Sequence, residues 1–130
     1  MSDTPRDYPD LHEHIEALKR QGLLRVIDRP IDKDAELHPL VRWQFVGGLA
    51  EADRKAFLFT NITDGRGRKY SIPVVVGAIA ANRAIYSLGM GAPVEEIQAK
   101  WDLAIAAPIA PRLVTDAICQ EVVLEGAALQ

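Results

Sequence analysis

His12 and His14 flank Glu13, and imidazole and carboxylate groups are the usual ligands of zinc. Their spacing decides against a metal. In a helix only residues three or four apart share a face, and two apart point about 200° from each other. Two ligands without a second cluster also cannot fill a tetrahedral site. His38 precedes Pro39 and has no partner in sequence, so it reads as a helix-start residue rather than a general base. Cys119, the single cysteine, falls in a strand-like segment rather than at a helix start. Nothing nearby would lower its pKa, and a small packed side chain is the favoured reading. No serine stands in a G-x-S-x-G context.

Two glycine segments raise the question of phosphate binding. Gly65-Arg66-Gly67 and Gly77-Ala78-Ile79 both lack the three fixed glycines that let a backbone approach a pyrophosphate. Gly77 does run from a strand toward a helix, so a small nucleotide-binding domain stays open on that turn alone. Arg66, Arg68 and Lys69 form the one short basic cluster. Beside glycines it reads as a solvated turn, ahead of a phosphate or acidic-partner site. Trp43 and Trp101 fall in helical segments and are expected to pack in a core or interface.

The elements that would position these residues follow from hydrophobic period and punctuation. Leu11, Ile15 and Leu18 define one side of a helix over 10–21, capped by Asp10 and stopped by Gly22. A strand over 23–28, near a sheet edge, runs to Pro30. Pro39 suits a first helical turn and predicts a helix over 38–49, with Leu37, Val41, Phe45 and Leu49 buried. Ala56 to Ile62 reads as a strand, and Asp64 to Gly67 as a reversing loop. Val74 to Gly77 reads as a strand buried on both faces, central in the sheet with its predecessor. Asn82 caps a helix carrying Ala84, Ile85 and Leu88, ended around Gly89 to Gly91. Pro93 opens another, with Val94, Ile97, Trp101 and Ile105 on one face and Pro108 and Pro111 beyond it. A weakly amphipathic strand over 118–125 closes the reading. The fold class is α+β: a small mixed β-sheet of three to four strands with helices packed against it.

Composition sets the outer limits. The 130 residues, 48% apolar and 25% charged, fit one globular domain, which at this size buries roughly 65% of its unfolded surface. A net charge of −3 and scattered basic residues exclude a nucleic-acid footprint. The apolar run near Ile72 to Ile79 is far short of the ~20 residues of a membrane span. A polar start without a signal-like apolar run and one unpaired cysteine point to the cytoplasm.

The succession GLLRVID, ELHPLVRWQF, KAFLFTNI, IPVVVGAIAANRAIYSLGM and VEEIQAKWDLAIAAPIAP resembles the N-terminal region of the UbiD decarboxylase family. CQEVVLEGAALQ resembles the stretch leading into that family's flavin-binding domain. The resemblance implies residues 1–110 as an α/β scaffold domain and 111–130 as a connecting segment and first strand. It implies an enzyme that reversibly decarboxylates an aromatic, heteroaromatic or α,β-unsaturated acid with prenylated FMN, a divalent metal and in some cases a monovalent ion. The family's flavin, metal and proton-relay residues come later in the chain. No catalytic, cofactor-binding or metal residue is therefore assigned here, and Glu121 and Glu125 receive no role. The expected partner is the remainder of the enzyme chain or a separate catalytic subunit, assembling as a homo-oligomer, with no nucleic acid or membrane. The chain alone is expected to be inactive, a piece of a longer enzyme. The alternative is a non-catalytic accessory subunit of a decarboxylase complex.

Overall fold

A computed structural model describes residues 10–115, 122 and 124–129. The first helix, α1 (Leu11–Arg20), starts where Asp10 places its carboxylate on the Glu13 N–H at 2.9 Å and Glu13 returns its own to the Asp10 N–H at 2.6 Å. This reciprocal box satisfies two donors that a helix start leaves open. At the other end, Gly22 takes a positive φ of 66°, which lets Leu23 N–H reach Leu18 O and Gly22 N–H reach Lys19 O.

Strands β1 (Leu24–Ile27) and β2 (Ile31–Asp32) follow, then α2 (Leu37–Val46) with Pro39 in its first turn. One 3₁₀ turn (Glu51–Asp53) precedes β3 (Ala56–Phe59), β4 (Ile62–Thr63), β5 (Lys69–Tyr70) and β6 (Val74–Val76). Helix α3 (Arg83–Met90) and helix α4 (Ile97–Ala106) complete the regular structure up to residue 115. No described helix is long and apolar enough to cross a membrane.

The strands form two three-stranded mixed sheets, ordered β1-β3-β6 and β2-β4-β5. In each, the first pair is parallel and the second antiparallel. The repetition has a simple origin, because three runs of extended chain are each interrupted once. Pro30, Thr60-Asn61 and Pro73 mark the interruptions, and a proline cannot donate to a ladder. Hydrogen bonds from Thr60 N–H to Ile27 O and from Ile31 N–H to Asn61 O carry the pairing across the break.

Alternation along β3 divides the core. Ala56, with Leu18, Leu23, Ala78, Ala81 and Ile85, forms the cluster under α1 and α3. Phe57 and Phe59, whose rings stack 5.9 Å apart, join Ile31, Val41 and Ile62 on the α2 side. The α+β class and the mixed sheet with packed helices are therefore as expected, with β1 at an edge.

Several local expectations are corrected. Val74–Val76 is an edge strand, half-buried, because it pairs on one side only; β3 is the central strand. The run from Ala56 to Ile62 is two strands. Helix α2 ends at Val46, and Phe45 and Leu49 are exposed while Val41 and Gln44 are buried. Leu11 and Ala84 are exposed on their helices. Of the stripe expected on α4, Ile97 is half-buried and Val94, Trp101 and Ile105 are exposed. The strand expected over 118–125 falls largely outside the described residues.

Gln44 is buried because it has work in the backbone. Its Oε1 accepts from Lys55 N–H at 2.9 Å and its Nε2 donates to Lys55 O at 3.1 Å. Gln44→Leu keeps the bulk but leaves both peptide groups unpaired, so urea denaturation is expected to show a loss of about 1–3 kcal/mol. Lys55→Ala, which leaves those groups in place, is expected to stay within about 0.5 kcal/mol.

Candidate functional site

The sequence candidates do not converge. His12 is exposed, whereas His14 is half-buried, its Nε2 2.6 Å from Ala78 O, and ties α1 to the turn after β6. The groove beside them, about 650 Å³, is lined by His12, His14, Glu16, Arg20 and Leu88 among others. Glu16 faces Lys19 at 3.8 Å, an exposed pair of little energetic weight. His38 is the exposed second residue of α2. Among the described residues no group of three or more His, Cys, Asp or Glu is placed to hold a metal. Cys119 and Glu121 lie outside the described residues, and Glu125 is exposed just before a 3₁₀ turn (Gly126–Leu129).

The basic cluster belongs to a turn built around Asp64. One carboxylate oxygen accepts the N–H groups of Arg66 and Arg68, each at 2.9 Å, and the other accepts the Tyr70 hydroxyl at 3.0 Å. Arg68 and Lys33 stack on the Tyr70 ring at 5.2 and 5.7 Å. The Arg68 N–H, foremost, with the Tyr70 hydroxyl and the Arg66 N–H, holds the Asp64 carboxyl below its ordinary range against the opposing effect of desolvation.

Neither glycine segment fits a phosphate. A Cβ on Gly65 would lie 3.6 Å from the Asp32 carboxylate, which repels an anion. At Gly77, φ is 75° and an added Cβ would meet Ala81 Cβ at 3.1 Å and Lys55 O at 3.6 Å, so the glycine serves close packing of the chain on itself.

Both tryptophans are solvent-facing rather than core: Trp43 is 69% exposed and Trp101 45%. Trp101 Nε1 donates to the Tyr86 hydroxyl at 2.8 Å, and Lys100 Nζ donates to Met90 O. Thus α4 is held to α3 by polar contacts at its base, while Leu103 and Ile105 stay more than two-thirds exposed and Ile109 and Leu113 project beyond it. Trp101 and Ile105 lie on one side of α4 and Leu103 on the opposite side, so the exposed apolar surface of this helix is not confined to one face. Its only sequence signal was a helix apolar on more than one side.

Three features the sequence reading missed are polar: the Gln44 clamp, the His14 contact and the Asn82 side chain donating to the backbone carbonyl of Arg54, two residues before β3. Their partners are backbone groups 11 to 64 residues away, where no spacing rule reaches.

The described residues form an α+β fold in which α4 leaves apolar side chains exposed. The family described as the 3-octaprenyl-4-hydroxybenzoate carboxy-lyase N-terminal domain matches residues 15–105, from within α1 to within α4. The chain belongs to this family, the UbiD-type carboxy-lyases, as its order of segments suggested. No solved structure matches it.

A carboxylate whose folded pKa is depressed stabilises the loop above its unfolded value and ceases to do so as pH falls through the folded one. The Arg66 and Arg68 amide shifts are therefore expected to titrate with a midpoint below 3.8, the ordinary aspartate value. An NMR titration in which Asp64 protonates at or above 3.8 contradicts this reading.

Proposed function

We propose that this chain is the scaffold domain of a UbiD-type carboxy-lyase that reversibly decarboxylates an aromatic, heteroaromatic or α,β-unsaturated acid. The family match supports the enzyme class. The exposed apolar surface of α4 carries the division of labour. Trp101 and Ile105 share one side of this helix and Leu103 lies on the opposite side; none of its residues is buried, and exposed apolar surface on this scale marks an interaction site.

The occupant of that surface is the flavin-binding catalytic part of the enzyme, as the remainder of the chain or as a separate subunit. Prenylated FMN supplies the decarboxylation chemistry when bound there. This chain's residues contribute a rigid body on which that part is oriented. The enzyme is cytoplasmic and assembles as a homo-oligomer.

Two measurements test this. The chain purified alone is expected to carry no flavin absorbance and to release no carbon dioxide; flavin near one per chain overturns the reading. Leu103→Ser with Ile105→Ser should leave thermal stability nearly unchanged, because both side chains are already in water. The same pair should weaken association with the catalytic part at least tenfold, since each buried aliphatic side chain is worth about 1.5–3 kcal/mol. Unchanged affinity excludes α4 as the docking surface.

A further inference from the structure

A second feature lies where the end of α2, the 3₁₀ turn and the start of α3 meet. A cavity of about 230 Å³ there is lined by Phe45, Arg54, Ala81, Arg83 and Tyr86, with Glu51 at its side. Its charges are unevenly matched. Glu51 is committed to Arg83, accepting the Arg83 N–H at 3.0 Å and facing its Nε at 3.5 Å. Asn82 is also committed, accepting from Ile85 N–H and donating to Arg54 O.

Arg54 has no such partner. Its guanidinium lies over the Phe45 ring at 5.3 Å, its Nε is buried without an acceptor, and no ion pair reaches it among the described residues. A guanidinium always carries its charge and offers donors in a fork that fits a carboxylate edge-on. A buried donor without an acceptor is costly and calls for an unseen partner.

We infer that this cavity is a carboxylate-binding niche, with Arg54 as the fork, Phe45 as the platform on which it turns, and Arg83 and Tyr86 as the wall. The ligand is a single carboxylate on a short aliphatic arm, because Ala80 and Ala81 give the small cavity an apolar wall beside Arg54. Two sources share that chemistry: a free small dicarboxylate and a glutamate side chain of a docked protein. Nε is closed to water, so edge-on engagement accompanies a rotation of the guanidinium over Phe45. The niche does not depend on the scaffold role proposed above, since it is read from this chain alone.

The test follows the Arg54 Nε–H resonance by NMR in this chain while glutarate, a short neutral-ended peptide with a central glutamate, its glutamine counterpart and inorganic phosphate are added in turn. Saturable movement is expected, with a Kd on the order of 1–10 mM for one solvent-accessible carboxylate. Saturation by glutarate alone assigns a free dicarboxylate, and saturation by the glutamate peptide assigns a protein side chain. Arg54→Gln should abolish the response in the remaining cavity amides, and Glu51→Gln should tighten it about threefold by removing a competing charge. The proposal is overturned by no saturable shift with either carboxylate, by an equal response to the glutamine peptide, or by tighter binding of phosphate. An undiminished response in Arg54→Gln also overturns it. If Arg54→Gln loses its folded spectrum, Glu51→Gln decides, and unchanged affinity there counts against the niche.

Discussion

Two buried amide side chains grip consecutive peptide groups just before the central strand. Gln44, from α2, pairs with both backbone groups of Lys55, and Asn82, at the head of α3, donates to Arg54 O while capping its own helix at Ile85 N–H. Both are at least nine-tenths buried. Because α2 and α3 pack on opposite faces of the sheet, the two amides fix where β3 enters between them. That entry point in turn sets which of Ala56, Phe57 and Phe59 faces which helix. A shift by one residue would send the two phenylalanines to the face that holds Ala56.

This arrangement uses up the sheet. Helices α1 and α3 cover one face and α2 the other, so α4 has no sheet surface left to cover. It is tethered instead through Trp101 to Tyr86 and through Lys100 to Met90 O, and its aliphatic side chains turn outward. Most helical stability comes from tertiary packing, and the described residues give α4 little of it. The family to which the chain belongs is named for its carboxy-lyase, and the proposed occupant of this surface is the catalytic part of such an enzyme.

Much of the fold was legible because it depends on local signals. Asp10, Gly22, Pro39 and Asn82 are caps and first-turn residues, and each stands where its type predicts. Burial was legible only where periodicity and packing agree. Phe45 and Leu49 read as core by type but point away once Val41 and Gln44 take the inner side, and Val74 to Val76 read as central by composition but pair on one side only. The polar contacts that organise the domain were invisible in sequence. A glutamine in a helix carries no mark that its partner is a peptide group 11 residues away. The exposed apolar surface of α4 was misread for a related reason, since an apolar helix looks the same whether its cover lies in its own domain or another. The UbiD resemblance was legible from the order of segments, without any chemical motif.

Hydrogen exchange over residues 97–106 tests the central claim most directly. In this chain alone the α4 amides are expected to exchange far faster than those of β3, because little burial protects their hydrogen bonds. In complex with the flavin-binding catalytic part, whether covalently continuous or added as a subunit, the same amides are expected to slow by at least tenfold. Equal exchange of α4 in the two states would contradict the account, because the exposed helix would then have no part in joining the scaffold to the enzyme.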